Sequence, residues 1–160
     1  MAPVEPIPEH LHTVTPRLVV RRAATAIDFY RAAFDAEEVG DRFTGPSGEI
    51  IHAELRIGDS VVMITEDTGD ATAPARSPEA LGGAVSAVMA TYWADVDAAW
   101  DRAVTAGAEV VYPLQDAFYG ERGGRLRDPY GQQWMLSQRT EDLTAEEVDR
   151  RAAEYFADNG

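Results

Sequence analysis

The chain has 160 residues, no cysteine and a formal net charge of -14 at pH 7. That length suits one domain with a core large enough to need no staples, and the missing thiols exclude disulfides, thiolate metal sites and cysteine nucleophiles. The acidity disfavours nucleic acid and anionic membranes as partners, and no apolar run approaches the ~20 residues of a membrane span. With no basic-then-apolar leader either, a cytoplasmic location is expected. Every basic residue is Arg and none is Lys, which together with abundant Ala points to the codon usage of a GC-rich bacterium.

Residues 1–13 are Pro-rich and charged and predict a flexible N-terminal segment. His10 and His12 have the spacing that puts two imidazoles on one strand face, but this composition favours a tail over a metal site. Residues 14–20 are apolar and β-branched and predict a strand. Residues 23–34 are Ala-rich, with Ile27, Tyr30 and Phe34 at helical spacing, and 38–43 return to strand character. Strands at 50–57 and 60–65 follow, joined by a hairpin turn at Gly58-Asp59. The acidic, Thr-, Ala- and Pro-rich segment 66–84 predicts a mobile linker.

A second series then begins: a strand over 85–93, a helix over 96–106 ended by Gly107, and a strand over 109–114. Residues 116–124 (DAFYGERGG) predict either a mobile loop whose Phe118 and Tyr119 close over a bound molecule or a long hairpin whose aromatics cover the sheet edge. The last two strands, 122–127 and 133–138, are joined by Asp128-Pro129-Tyr130-Gly131, which has strong turn chemistry. In the extension 139–160, Thr144 and Glu147 form a capping box ahead of Val148, Ala152, Tyr155 and Phe156 at helical spacing. That helix is expected to dock on its own sheet or on a partner subunit.

The two series repeat one another. A shift of 72 residues lays Ala36 on Ala108, Glu37 on Glu109, Val39 on Val111, Gly48 on Gly120, Glu49 on Glu121 and Met63 on Met135. A period that long is not a solenoid repeat. The predicted fold is α+β: two tandem βαβββ modules, 14–65 and 85–138, forming a cupped mixed sheet in a single domain 14–138, followed by a C-terminal helix.

Four phrases carry a resemblance to a known family: AIDFYRAAFDAEEV, HAELRIGDSVVMI, ADVDAAWDRAVTAGAEVVYP and RDPYGQQWML. With them the chain resembles the vicinal oxygen chelate superfamily, which groups glyoxalase I, bleomycin-resistance proteins and extradiol dioxygenases. The IHAELRIGDS phrase and the FYGERGG loop look like its PhnB-like single-domain bacterial branch. The resemblance implies a homodimer that completes two equivalent cups. It also implies a His or Glu metal ligand on the first and last strand of each module. Counting from the FY of the first helix places those positions at Thr15, at Met63 or Ile64, at Val88 or Met89, and at Met135. None is a His, Asp or Glu, so neither the family's metal nor any other cofactor is expected, nor the glyoxalase, dioxygenase and fosfomycin-transferase chemistry that needs the metal.

Strand alternation then indicates what lines the cup. Ile51, Ala53, Leu55 and Ile57 share one face and His52, Glu54 and Arg56 the other, so the polar set is expected to look inward. With Met135 at the ligand position that the resemblance implies, parity points Gln133 and Ser137 inward too; Arg17 and Val19 share the parity of Thr15 on the first strand, and one of Tyr92 and Trp93 faces in on the fifth. The candidate ligand-binding residues are Arg17, His52, Glu54, Met63, Trp93, Tyr119, Gln133 and Met135. Aromatic rings and thioethers supply contact area, and His52, Glu54 and Gln133 fix orientation. The expected function is metal-free binding of a small organic molecule, aromatic or cationic, that sequesters a drug or toxic metabolite and so confers antibiotic resistance. The alternative is a metal-independent isomerase or lyase acting on a small carbonyl compound, with His52 as base beside Glu54.

Overall fold

A computed structural model describes residues 4–158; residues 1–3 of the predicted N-terminal segment and 159–160 of the C-terminal extension lie outside the described residues. The contacts group the chain into two compact units. The first comprises the described residues up to Val85 together with Pro129–Gln132, and the second Ser86–Asp128 with the residues from Gln133 onward.

In the first unit, β1 (Arg17–Val20), α1 (Ala23–Phe34), β2 (Glu37–Glu38), β3 (Phe43–Thr44), β4 (Ile50–Ile57) and β5 (Ser60–Glu66) build a five-stranded sheet ordered β1-β5-β4-β2, with β3 also paired to β4. The first strand runs parallel to the last, and the β4–β5 hairpin is antiparallel. The predicted strand 14–20 starts only at Arg17. Pro16 has no N–H to give to a ladder, although its carbonyl accepts from Met63 N at 2.8 Å. The predicted strand 38–43 is broken into β2 and β3, because Gly40 takes a left-handed φ of 71° between them.

Helix α1 lays Ala26, Ile27, Tyr30 and Phe34 into the core with Val20, Leu55 and Ile64, all at most 1 % exposed. Burying each large side chain of this kind stabilises the fold by about 1.5–3 kcal/mol. The helix lacks a side-chain cap of its own, and Arg22 before it is left-handed at φ 58°. Its start is held from β5: the Glu66 carboxylate accepts from Arg22 N at 2.6 Å and from Ala23 N at 2.7 Å. One alternation fails on β4. Ile51 is 41 % exposed while Ile50 is buried, at the point where the β3–β4 pairing shifts register.

The predicted mobile linker contains a buried clasp. Asp67 Oδ2 accepts from both the amide (2.9 Å) and the hydroxyl (2.6 Å) of Ser77, and Oδ1 accepts from Gly69 N at 3.0 Å. The Ser77 hydroxyl bond is the largest influence on Asp67. Against the opposing effect of burial, it and the backbone donors hold the carboxyl well below the usual carboxylate range.

In the second unit, β6 (Val88–Tyr92), α2 (Val96–Thr105), β7 (Glu109–Ala117), β8 (Glu121–Arg127) and β9 (Gln133–Arg139) form a four-stranded sheet ordered β6-β9-β8-β7, with β6 parallel to β9. The expected strand 85–93 pairs only from Val88. Asp95 caps α2 by accepting from Ala98 N, and Ala99, Trp100 and Ala103 of the helix are buried, as are Leu126, Trp134 and Leu136 of the sheet. Asp128 is buried and accepts from Trp134 Nε1 at 2.9 Å.

Of the two arrangements expected for 116–124, the structure has the hairpin. Strand pairing extends to Ala117↔Glu121, leaving three residues in the turn, where Gly120 supplies a φ of 80°. Helix α3 (Ala145–Asp158) follows, with Thr144 Oγ1 accepting from Glu147 N at 3.2 Å. It meets that turn through rings, Phe118 lying 5.2 Å from Tyr155 and 6.0 Å from Phe156. The Glu147 carboxylate departs from the reciprocal capping box, taking Arg150 and Arg151 instead of bonding back to the cap.

Candidate functional site

The pairing registers bring predicted residues together in two rows. In the first sheet Met63 pairs with Arg17 on one side and Glu54 on the other. In the second sheet Met135 pairs with Ala90 and Arg125. The two methionines thus hold equivalent positions in their modules, and so do Glu54 and Arg125, which carry opposite charges.

The first row satisfies itself. Arg17 Nη2 donates to His52 Nδ1 at 2.9 Å, and His52 Nε2 and His10 Nε2 meet the two oxygens of Glu54 at 3.0 and 2.7 Å. A guanidinium can only donate, so Nδ1 accepts and Nε2 carries the ring proton toward Glu54. Burial by itself raises the Glu54 carboxyl. The hydrogen bonds from His10 and His52 outweigh it and bring it below its ordinary value. The lone pair His52 would need as a base is therefore taken by Arg17. His10, read in the sequence as part of a tail, belongs to this cluster; its carboxylate partner is 44 positions away, and no local pattern could have revealed it.

The second row lies in a groove of about 150 Å³ on the face of the sheet opposite α2, floored by Gly123, Arg125, Met135 and Ser137 and walled by Tyr112, Tyr119 and Gln115. Two adjacent glycines shape it. A methyl on Gly124 would come within 2.6 Å of the Trp100 ring, and one on Gly123 within 2.9 Å of the Leu136 carbonyl. Arg125 lies over Tyr112, its guanidinium carbon 5.2 Å from the ring centroid. Its Nε is buried without a hydrogen-bond partner. Arg122, three residues earlier, instead forks onto Asp97 at 2.8 and 2.9 Å.

Of the residues singled out from sequence, Tyr119 and Met135 line this groove, and Arg17, His52, Glu54 and Met63 form the first row. Gln133 begins β9 two positions from Met135, opposite Arg127, and does not line the groove. Trp93 donates to Thr91 Oγ1 at 2.8 Å, and its ring carries Arg102 of α2 at 5.8 Å. Tyr92 is the residue that pairs with Ser137, and its hydroxyl donates to Glu121 at 2.9 Å. Sequence reading passed over Arg125 and Tyr112. Their signal was present in the parity that points Met135 and Ser137 inward, had it been carried across the hairpin to β8 and β7.

The chain belongs to the glyoxalase/bleomycin resistance protein/dioxygenase superfamily, whose family model matches residues 10–136. It is 43% identical over 136 residues, 84% of this chain and 88% of the relative, to the uncharacterized protein Mb0911c of Mycobacterium bovis. Its fold is similar to that of TioX from Micromonospora (TM-score 0.59, 26% identity, covering 83% of this chain and 100% of that one). It is also similar to the PhnB protein of Bacillus cereus (TM-score 0.59, 20% identity, 79% and 99%).

The residues at the family's metal positions do not fit a divalent ion. Thr15 spends its hydroxyl proton on the His12 carbonyl at 3.1 Å, Ile64 is buried in the core, and Met63 and Met135 offer only thioethers. Hard cations need several converging oxygen or imidazole donors. Among the described residues no group of three or more His, Cys, Asp or Glu is placed to hold a metal ion, and no helix is long and apolar enough to cross a membrane.

Proposed function

We propose that the protein is a cytoplasmic, bacterial small-molecule-binding member of its superfamily, acting as a homodimer that sequesters a drug or toxic metabolite. The observation that carries this reading is the second-sheet groove, where Tyr112, Tyr119 and Met135 supply contact surface and Gln115, Ser137 and Arg125 supply polar groups. A few polar groups among aromatic and thioether walls are what a ligand site needs for both area and orientation. Membership of a family that includes bleomycin resistance proteins supports the drug-binding form of the reading.

The rival reading, an isomerase or lyase with His52 as base, has less support. Both His52 nitrogens are engaged, by Arg17 and by Glu54, and a general base needs a free lone pair within reach of its substrate.

A thermal-shift screen of small aromatic compounds tests the proposal, because a ligand that binds only the folded chain raises its melting temperature by mass action. At least one compound is expected to raise the melting temperature of the wild type and to do so less in Tyr119→Ala. A screen in which no compound raises it, or in which the variant responds like the wild type, overturns the assignment.

A further inference from the structure

The groove contains a cation with no anion. Arg125 makes no ion pair and no hydrogen bond with any other described residue; it rests against the Tyr112 ring. Its neighbours on β8 differ, with Arg122 bound to Asp97 and Asp116 and Arg127 lying 3.7 Å from Glu109. In the first module the equivalent position, Glu54, is matched twice within the chain. The buried, unmatched Nε is a feature shared with Arg127; what sets Arg125 apart is a guanidinium without a carboxylate, which an anion on its remaining N–H groups would supply.

We infer that Arg125 is an anion-recognition residue and that the groove takes a planar, single-ring aromatic monocarboxylate, with its ring between Tyr112, Tyr119 and Met135 and its carboxylate on the guanidinium. This rests on the binding reading above and specifies the ligand class. Three observations set the class. The guanidinium is planar and bidentate, so it matches a carboxylate in both charge and geometry. It is a single positive charge in a chain of net charge -14, so a monoanion is neutralised whereas a dianion such as a phosphate monoester keeps an uncompensated charge. A groove of about 150 Å³ is the size of cavity that holds one benzene ring. The sequence admits an aromatic or a cationic ligand, but the charged side chain lining this groove is positive.

The test uses the full chain and amide chemical-shift titrations with benzoate, benzamide and inorganic phosphate. Benzoate is expected to produce saturable shifts at Tyr112, Gly123, Gly124 and Met135, and to bind about ten- to a hundredfold more tightly than benzamide, the range a charge-assisted hydrogen-bond pair supplies. Phosphate alone is expected to bind more weakly than benzoate. Arg125→Gln should remove most of the benzoate advantage over benzamide; the wild-type comparison stands even if that variant does not fold. Equal binding of benzoate and benzamide in the wild type would overturn the role of Arg125 and leave the groove as a neutral aromatic site. Tighter binding of phosphate than benzoate would overturn the carboxylate assignment. No saturable shift in the groove from any of the three, together with a blank thermal-shift screen, would overturn both the inference and the reading beneath it.

Discussion

Arg125 and Tyr112 are cross-strand partners on β8 and β7, with the guanidinium carbon 5.2 Å from the centre of the phenol ring. The contact sets the guanidinium against an aromatic face at the edge of the groove. The same ring is therefore both a support for the cation and a wall of the site, which makes Tyr112 the residue whose loss should loosen both. Tyr112→Leu, which keeps bulk without the π-face, is expected to leave the fold intact and to weaken any groove ligand by about threefold to tenfold, from the ~0.5–1 kcal/mol of an exposed cation–π contact plus lost ring contact. Equal affinity in the variant, measured by calorimetry, would remove Tyr112 from the site.

The floor of the groove depends on two residues without side chains. Gly124→Ala places a methyl 2.6 Å from the Trp100 ring and 2.9 Å from Leu114 N. Overpacking of this kind costs about 1–3 kcal/mol, and in a chain of this length each kcal/mol shifts the melting temperature by roughly 2–4 °C. A calorimetric melt should fall by several degrees. An unchanged melt would mean that β8 and α2 are not packed as described.

The Asp67–Ser77 clasp predicts a pH dependence with a definite sign. The folded-state carboxyl is depressed mainly by the Ser77 hydroxyl, so its contribution is present above the unfolded value of about 3.9 and is lost as pH falls toward the folded value. Asp67→Asn should destabilise the chain at pH 7 by about 1–3 kcal/mol, and the difference from wild type should shrink as pH falls below about 4. Denaturant melts at pH 7 and pH 3 that show the same difference would contradict the clasp.

Glu54 gives a second test. Its carboxyl is depressed because the hydrogen bonds from His10 and His52 outweigh burial, and they are what His10→Ala and His52→Ala remove in turn. Each variant should raise the Glu54 carboxyl toward its ordinary value, as followed by carboxyl NMR titration, and His52→Ala should leave groove binding intact. Loss of ligand binding in His52→Ala would return the first sheet to the centre of the function.

Much of the architecture was legible because its signals are local. Helix α1 spans Ala23–Phe34 and β4 spans Ile50–Ile57 as their periodicities require, and the turns at Gly58 and Gly131 take the positive φ that glycine permits. The misreadings arose where distant groups decide. Residues 116–124 admit both a mobile loop and a long hairpin by sequence, and the pairing of β7 with β8 out to Ala117↔Glu121 makes them a hairpin. Segment 66–84 looked like a linker by composition, and one buried carboxylate organises it. The candidate site was half visible. Met135 follows from the ligand position that the resemblance implies and Tyr119 from the aromatic turn, Arg125 and Tyr112 need strand parity carried across the hairpin, and His10 depends on a partner 44 positions away.

The central claim is that the second-sheet groove holds a small organic molecule. Native mass spectrometry of the freshly purified protein, beside the Tyr119→Ala/Met135→Ala double variant prepared identically, tests it most directly. The account predicts dimers carrying a small-molecule mass that the double variant has lost. A wild-type spectrum without that mass even after incubation with compounds that raise the melting temperature, or a double variant that retains it undiminished, would contradict the account.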